Sequence, residues 1–416
     1  MKEIAYSRKI PLRYEADICV LGGGIAGVAA AVTAARKGVK VILVERFGML
    51  GGNATSGGVG NFSGDTMGRG RFFDDCLAKL EQLRAIVPYV PGKERVFNHH
   101  YLEIILQELA LDAGVKLLLH SRLADVIVND GHISEVVLCG ASGMEALSAQ
   151  VLIDCTGDGC AARYAGFRTM KGDTHGAQLP MSEMYFVREV AQEDLIAVYP
   201  DSKRYETAAD LPMTTVWPDG PGSHAIKLKV PRFDSTVTAS LTDAEIEARR
   251  RAMAVMEYHR RAEGRPWNFD GMSPIIGIRE GVRIRGDHVL TVEELREGKT
   301  FDTAVAYGDY PLDGHDPRDD GRTYILPKEE RYVPRYQIPM ECLVAADGDN
   351  LLMAGRCISA DQLALSSARV MPVCAMTGSA AGLCAAMAIH QSGSVRDVDY
   401  LSVRQMLTSE GADLWV

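Results

Sequence analysis

The chain has 416 residues, of which 47% are hydrophobic and 24% are charged, the balance of a globular protein large enough for two domains. Its formal net charge of -10 leaves no overall positive field, so we expect no nucleic-acid partner. The nine cysteines show neither a CxxC pair nor a zinc-finger spacing, so we expect reduced thiols in the cytoplasm and no metal site. Residues 1–10 contain no apolar segment or cleavage site, so we expect no export signal.

Residues 17–44 predict a strand, a glycine turn, a helix and a second strand. The block 17–21 is short and rich in branched residues, as in a buried parallel strand, and 25–36 is alanine-rich and helical. The second strand, 39–44, is followed by Glu45. A membrane span is the alternative, but glycines between two strand blocks argue against one continuous span.

The turn between this strand and helix carries the pattern Gly22-x-Gly24-x-x-Gly27. Gly22 permits the sharp turn, Gly24 lets the backbone approach a pyrophosphate, and Gly27 lets the helix pack closely on the strand. Unpaired N–H groups at the helix N-terminus then face the phosphates. Glu45 is placed to accept hydrogen bonds from ribose hydroxyls. A purely structural glycine turn is the alternative, and the order of elements favours dinucleotide binding.

A second glycine-rich loop, 51–58, begins six residues after Glu45. Its N–H groups suit further phosphate and the edge of a ring, and a flexible loop is the alternative. At this point the sequence resembles the glutathione-reductase-type FAD superfamily. Within it, the sequence resembles the bacterial FAD-dependent oxidoreductases that are distantly similar to fumarate reductase and succinate dehydrogenase flavoproteins. The resemblance implies FAD as the cofactor.

Later segments extend the resemblance through the middle of the chain. A strand at 115–119 is followed by a predicted hairpin over 123–138, and the resemblance implies that Leu123 or Ala124 meets the adenine. The strand 151–154 runs into a turn that resembles the family element near the FAD pyrophosphate. Read without the resemblance, any strand entering a turn would look the same.

The C-terminal part predicts a strand at 351–354 and a helix over 373–389. Pro372 suits the first turn of that helix, and its small residues at 378–382 are expected to pack on the sheet. The strand ends at Gly355, where open parallel sheets bind ligands. The resemblance places the start of the helix at the N1–C2=O edge of the flavin, where negative charge gathers on reduction.

The predicted fold class is α/β: a Rossmann-like FAD-binding domain, with a parallel sheet, helices and a β-hairpin or meander, plus an inserted α+β substrate domain. The FAD-binding domain is expected to be discontinuous over 14–60, 95–170 and 335–395, with 61–94 and 171–334 as the substrate or cap region and 396–416 as a tail packed on the FAD-binding domain. The motifs and the resemblance assign these residues to FAD: Gly22, Gly24, Ile25, Ala26, Gly27, Glu45, Arg46, Gly51, Gly52, Asn53, Ser56, Gly57, Gly58, Leu123, Ala124, Thr156, Gly157, Asp158, Gly355, Arg356, Arg369 and Met371.

The cap region offers two local predictions of structure. Residues 224–230 have the composition of a strand. Thr242-Asp-Ala-Glu245 reads as a capping box that opens a helix reaching to about residue 263.

Candidate catalytic residues lie in the later part of the predicted cap region, where the chain is expected to approach the flavin again. Arg279, Arg283 and Arg285 would share one face of an extended segment and suit a substrate carboxylate, flavin negative charge or a structural salt-bridge network. The stretch resembles the family's Gly-x-Arg-Glu motif, which implies Arg279 as an anchor or proton donor. His315 is a candidate acid or base, with an incidental loop residue as the alternative. Leu365 stands where the family commonly has a histidine, so the family's acid–base mechanism does not transfer directly.

These observations predict an FAD-dependent oxidoreductase, a dehydrogenase or oxidase. A hydride would move between a small organic substrate and flavin N5, with Arg369 and the helix near Pro372 stabilising the reduced ring. The alternatives are a non-redox flavoenzyme, such as a hydratase or isomerase, and a non-catalytic flavin carrier of electrons, against which the size of the cap argues. The substrate, the electron acceptor and the oligomeric state stay open, a homo-oligomer included.

Overall fold

The structure, a computed structural model, describes residues 4–199, 202–391 and 393–415. Its α-helices are α1 (Ile25–Ala35), α2 (Arg71–Gln82), α3 (His99–Asp112), α4 (Cys160–Tyr164), α5 (Thr238–Glu263), α6 (Val292–Glu297), α7 (Gln362–Ala368), α8 (Met371–Gln391) and α9 (Tyr400–Ser409). Its strands are β1 (Leu12–Leu21), β2 (Val41–Val44), β3 (Asn61–Phe62), β4 (Arg95–Val96), β5 (Lys116–Leu118), β6 (Arg122–Asn129), β7 (His132–Gly140), β8 (Gly143–Asp154), β9 (Thr169–Lys171), β10 (Met181–Glu189), β11 (Thr214–Pro218), β12 (Ser223–Val230), β13 (Trp267–Met272), β14 (Val282–Ile284), β15 (Ala304–Gly308), β16 (Tyr336–Pro339) and β17 (Leu351–Met353).

The larger sheet has the strand order β5-β2-β1-β8-β7-β6, and β17 also pairs with β8. β1, β2, β5, β8 and β17 run parallel, whereas β6, β7 and β8 pair antiparallel. The tight turn of the β6–β7 hairpin places Asp130 at φ 49° and Gly131 at φ 82°, positive angles that two-residue hairpin turns favour. The predicted α/β class, with a hairpin beside a parallel sheet, is confirmed.

Helices α1 and α8 approach each other through their backbones. A Cβ on Gly378 would lie 2.1 Å from the carbonyl oxygen of Ala26, and one on Gly382 would lie 2.2 Å from that of Ala30. Larger side chains at these two positions would therefore force the helices apart. We expected these small residues to face the sheet, but their closest approach is to α1. The helix also begins at Met371, two residues before the predicted start.

Helix α8 is the one helix among the described residues whose length and apolar composition would suit a membrane span. Its most apolar window has a mean hydropathy of 1.6, and 89% of that window is buried inside the fold. It contacts α1, α2 and α9 as well as β8 and β15. This is the placement of a core helix.

The smaller sheet has the antiparallel order β11-β12-β10-β13, and α5 covers it with alanines and Met256. The predicted capping box in α5 is wrong, because the helix begins at Thr238 and Thr242 lies one turn inside it. There the Thr242 hydroxyl donates to the Thr238 carbonyl oxygen at 2.8 Å. The Glu245 carboxylate instead accepts from the backbone N–H of Ile276 at 2.9 Å.

The two sheets draw on different parts of the chain. The larger sheet uses strands within 12–154 and 351–353, and the smaller sheet uses strands within 181–272. Helix α2 lies within 61–94, the segment assigned to the cap, yet its Phe72 and Phe73 belong to the same core as α1 and α8. Helix α9 of the tail joins that core too. The domain boundaries themselves stay a prediction.

Candidate cofactor and substrate site

The glycine turn after β1 is tight on one side and open on the other. A Cβ on Gly27 would lie 1.8 Å from the carbonyl oxygen of Gly22, whereas a Cβ on Gly24 would meet no atom within 4 Å. Gly22 itself has φ +96°, which only glycine adopts readily. No side chain caps the N-terminus of α1 at Gly24. The first N–H groups of α1 thus lie beside open space, as an anion site requires.

Two adjoining cavities run along this turn, one of about 570 Å³ and one of about 130 Å³. Gly22, Glu45 and Thr156 belong to the walls of both, so the two cavities adjoin, and together they are the cofactor space. The predicted FAD residues that line this space are Gly22, Gly24, Ile25, Ala26, Glu45, Arg46, Gly51, Gly52, Asn53, Leu123, Thr156, Gly157, Asp158, Gly355, Arg356, Arg369 and Met371.

The other five predicted FAD residues lie outside this lining. Gly27 packs on Gly22, and the Ser56 hydroxyl donates to the Gly52 carbonyl oxygen at 2.8 Å. Ala124 lies next to Leu123 on β6, where the pairing with β7 shifts register between Leu123 and Asp125. Gly57 packs against Asn53, and Gly58 against Met184 and Ser273. These five residues therefore lie outside the lining of the cofactor space, and their assignment to FAD stays a prediction.

The Glu45 carboxylate joins the first glycine turn to the segment that follows β2. It is buried and accepts from the backbone N–H of Gly23 at 2.6 Å and from that of Phe47 at 2.9 Å. A carboxylate oxygen accepts more than one hydrogen bond, so these contacts leave capacity for ribose hydroxyls.

Asp154, at the end of β8, fixes the turn that carries Thr156. Its fully buried carboxylate accepts from the Thr156 backbone N–H at 3.0 Å, from the Thr156 hydroxyl at 2.7 Å and from the Ala161 N–H at 2.8 Å. Burial raises the pKa of this carboxyl against the opposing effect of its hydrogen bonds. Our sequence analysis missed Asp154, although its position as the last residue of a buried strand is a signal.

Arg356 shows that the residues fit the phosphates of FAD. Its Nη1 is buried without a hydrogen-bond partner among the described residues and lies 3.8 Å from Asp158 Oδ1. A guanidinium donor left unpaired in a cavity wall costs free energy unless a ligand accepts from it. Together with the open space at Gly24, this donor matches a pyrophosphate.

A third cavity, of about 690 Å³, adjoins the cofactor space. Asn53, Arg369 and Met371 belong to both walls. The rest of its wall contains apolar residues such as Trp217 and Val87. It also contains charged side chains such as Lys227 and Arg279. This cavity has the size and position of a substrate site.

Arg369 and Arg279, two predicted catalytic residues, line this third cavity. Arg369 Nη2 donates to Asp313 Oδ2 at 3.0 Å, and Arg279 Nη1 donates to the Pro180 carbonyl oxygen at 2.8 Å. Burial, and next the charge of Arg369, lower the pKa of Arg279 to about 10. The two guanidinium groups thus give the cavity a positive end.

His315, the third predicted catalytic residue, does not line any of the three cavities. Its buried ring stacks on Tyr324 with 4.5 Å between centroids, and its Nε2 lies 3.2 Å from Asp313 Oδ1. Burial lowers the pKa of His315 to about 4 despite the hydrogen bond to Asp313. In this arrangement His315 contacts Asp313 and does not reach the cavity wall, and its predicted role as an acid or base stays a prediction.

The predicted cationic face of three arginines does not form. The strand β14 contains only three residues, so Arg279 lies before it. Arg283 is buried, forms an ion pair with Glu280 at 3.2 Å and donates to the Gly172 carbonyl oxygen. Arg285 is exposed. Arg279 alone among the three reaches the cavity.

Lys227 on β12 also lines the third cavity, and our sequence analysis missed it. A signal was available, because Lys227 and Lys229 alternate with apolar residues in an otherwise buried strand. Leu365, at the position of the expected histidine, is fully buried in the main core. The cavity therefore has an amine but no imidazole in its wall.

Comparisons with known proteins agree with this geometry. The sequence profile of the family described as FAD dependent oxidoreductase matches residues 17–407. A thiamine thiazole synthase from Methanococcus vannielii is 32% identical over 159 residues, which cover 34% of this chain and 56% of that protein. Digeranylgeranylglycerophospholipid reductase 2 from Methanothermobacter thermautotrophicus is 27% identical over 163 residues, which cover 37% of this chain and 42% of that protein. The chain thus spans less than two thirds of the length of these curated relatives.

Among solved structures, a geranylgeranyl bacteriochlorophyll reductase-like protein from Thermoplasma acidophilum matches 95% of this chain and 84% of its own, with a TM-score of 0.51 and 14% identity. At that identity the likeness concerns the fold. The fold is that of a dinucleotide-binding α/β protein, and a further cavity adjoins its cofactor space. The family match over nearly the whole chain specifies it further: the chain belongs to the FAD-dependent oxidoreductases, and it is an enzyme whose cofactor is FAD.

Proposed function

We propose that this enzyme transfers a hydride between FAD and a small organic anion that carries an apolar body. The observation that supports this most strongly is the 690 Å³ cavity that shares Asn53, Arg369 and Met371 with the cofactor space. A substrate there would lie beside the cofactor while the cap region covers it.

The charges of the cavity wall support an anionic substrate. Lys227, Arg279 and Arg369 contribute three cations, against the carboxylates of Glu94 and Asp313. Asp313 is already bound to Arg369 and His315, and Glu94 is exposed and accepts from Asn61. The remaining positive charge suits a carboxylate, which arginine binds with two parallel hydrogen bonds.

The apolar side chains of the wall support an apolar substrate body. Trp217, Pro218, Val59, Val87 and Val96 line the cavity. Burying apolar substrate surface against them contributes roughly 25 cal/mol per Å². A small aromatic or branched aliphatic acid combines both features.

In this proposal the residues of the chain position the substrate and exclude water. Arg279 and Arg369 hold the anionic group, and Trp217 packs on the apolar body. FAD, when bound, supplies the hydride chemistry. The name of the matching Methanothermobacter protein is that of a reductase, which is consistent with a cavity that serves oxidation or reduction of a bound substrate.

The cysteines support a cytoplasmic location as part of the proposal. All nine are free thiols, and seven of them are buried. Reduced thiols without disulfides are typical of reducing compartments.

The test is reconstitution of the protein with FAD followed by anaerobic mixing with a panel of small acids. Oxidised enzyme is mixed with hydroxy and saturated acids, and photoreduced enzyme with unsaturated and oxo acids, each paired with the matching neutral amide. A change in flavin absorbance with an acid but not with its amide supports the proposal. Turnover without net consumption of an acceptor would instead support a non-redox hydratase or isomerase. No response to any acid, with FAD bound, would overturn the proposal.

A further inference from the structure

The third cavity, which is the proposed substrate cavity, has a lysine amine in its wall. Lys227 is half-buried on β12, and its amine nitrogen lies 5.8 Å from the centroid of the Trp217 indole. It forms no salt bridge to any carboxylate among the described residues, unlike Lys171, which pairs with Asp234 at 2.8 Å. Most lysines keep their charged end in water. A lysine amine in a cavity wall that Arg279 and Arg369 also line therefore calls for an explanation.

The other titratable groups in this wall are engaged or remain in one protonation state. Asp313 holds Arg369 and His315, and Glu94 accepts from Asn61 Nδ2 at 2.8 Å. Arginines do not release protons in the working range of an enzyme. Burial raises the pKa of Tyr310, so its hydroxyl stays protonated. Lys227 is the group left for proton exchange.

The surroundings of Lys227 favour such exchange near neutral pH. Burial and then the positive charge of Arg279 lower the pKa of Lys227, Asp313 raises it, Arg369 lowers it and Glu94 raises it, and the result is about 8. Both the amine and the ammonium form are then populated near neutral pH, as a general acid or base requires.

We infer that Lys227 is the catalytic acid–base of the substrate cavity. This assignment rests on the proposed function, because it needs a substrate seated between Lys227 and the cofactor space. The assignment also agrees with the positions of Leu365 and His315. Leu365, where a histidine was expected, is buried in the core, and His315 contacts Asp313 rather than the cavity.

The proton and electron balance of the step is simple. In the oxidising direction the substrate loses a hydride from carbon, which FAD accepts, and a proton from an adjacent O–H, N–H or acidic C–H bond. That bond breaks as a new N–H bond forms on Nζ, so Lys227 passes from amine to ammonium. Water then removes the proton. In the reducing direction the ammonium donates the proton and returns to the amine.

The first experiment measures the protonation of Lys227 without any turnover. The lysines of the FAD-free protein are reductively methylated with ¹³C-formaldehyde, and their NMR signals are followed from pH 6 to 11. Lys227→Arg identifies the Lys227 signal by its loss, and exposed Lys40 serves as the reference through Lys40→Arg. We expect the Lys227 signal to titrate near pH 8, below the ordinary lysine pKa of about 10.4. A Lys227 signal that titrates in the ordinary lysine range would overturn the assignment.

The second experiment uses Lys227→Met, with Lys40→Met as the matched control. With the substrate found in the acid panel, we expect Lys227→Met to slow flavin reduction or reoxidation roughly 10²- to 10⁴-fold and to remove the ionisation near pH 8 from the rate profile. FAD affinity should stay unchanged in both variants. Wild-type rates and an unchanged pH profile in Lys227→Met would overturn the inference. If no acid in the panel reacts, the proposed function fails, and the NMR titration still decides whether Lys227 exchanges its proton near pH 8.

Discussion

Arg369 Nη2 donates to Asp313 Oδ2 at 3.0 Å, at the point where the cofactor space and the substrate cavity meet. Arg369 belongs to both walls, so this ion pair fixes the boundary between cofactor and substrate. Burial raises the pKa of Asp313, but the hydrogen bond from His315 and the charges of Arg369 and Arg279 outweigh that effect. The pKa therefore lies well below its usual range.

Replacing Asp313 by Asn should destabilise the fold by about 1–3 kcal/mol, because it leaves the half-buried charge of Arg369 uncompensated. The depressed pKa means that the Asp313 contribution is present above the ordinary carboxyl pKa and is lost as pH falls through the native value. Urea unfolding at pH 7 measures the loss, and exposed Asp302→Asn is the control. Equal stability of the two variants would show that the pair contributes nothing.

Replacing Arg356 by Met should weaken FAD binding roughly 10- to 100-fold, since a hydrogen bond to a charged group contributes about 1.5–3 kcal/mol. The variant removes the buried Nη1, which has no hydrogen-bond partner among the described residues and lies 3.8 Å from Asp158 Oδ1. Quenching of FAD fluorescence gives the dissociation constant, and exposed Arg285→Met is the control. An affinity that equals that of the control would place the phosphates elsewhere.

Substitutions at Gly24 and Gly27 should distinguish an effect on FAD binding from an effect on the stability of the fold. The Gly24 Cβ would enter open space, so Gly24→Val should change the free energy of unfolding by less than about 0.5 kcal/mol while it blocks FAD. Gly27→Ala, whose Cβ would lie 1.8 Å from the Gly22 carbonyl oxygen, should lose about 1–3 kcal/mol of stability. Urea unfolding of the FAD-free proteins and FAD titration test both. If Gly24→Val binds FAD as the wild type does, the phosphate assignment is wrong.

Glu183 should make the fold sensitive to alkaline pH. Its buried carboxyl accepts from Ser273 Oγ at 3.0 Å, and burial raises its pKa from 4.5 to about 8. Because the native pKa is raised, the Glu183 contribution is complete below pH 4.5 and is lost as pH rises toward 8, by up to about 1.4 kcal/mol per pH unit. Glu183→Gln should flatten that slope.

Urea unfolding at pH 5 and pH 8 measures the effect of Glu183→Gln. Glu189→Gln, at an exposed position of the same strand, should keep the wild-type slope. A slope in Glu183→Gln that matches the wild type would mean that the carboxyl is ionised in the native state throughout this range.

Local patterns predicted the unit of β1, the glycine turn, α1 and β2, whereas the contacts of its residues with FAD stay predictions. Gly22, Gly24 and Gly27 act within one strand–turn–helix unit, so their spacing alone carries the geometry. The role of Lys227 depends on the register of β12 against its neighbours and on where the cap lies, neither of which is local. Arg283 and Arg285 do not share a face, because β14 ends at Ile284, between them. The predicted capping box at Thr242 was wrong because α5 begins one turn earlier, at Thr238.

The most direct test of the account is a crystal structure of the FAD-loaded protein. We expect FAD to pass from Glu45 to Arg369 with its phosphates against Gly24 and Arg356, and its ring facing the cavity that Lys227 and Arg279 line. Density for FAD elsewhere, or a ring turned away from that cavity, would contradict the account.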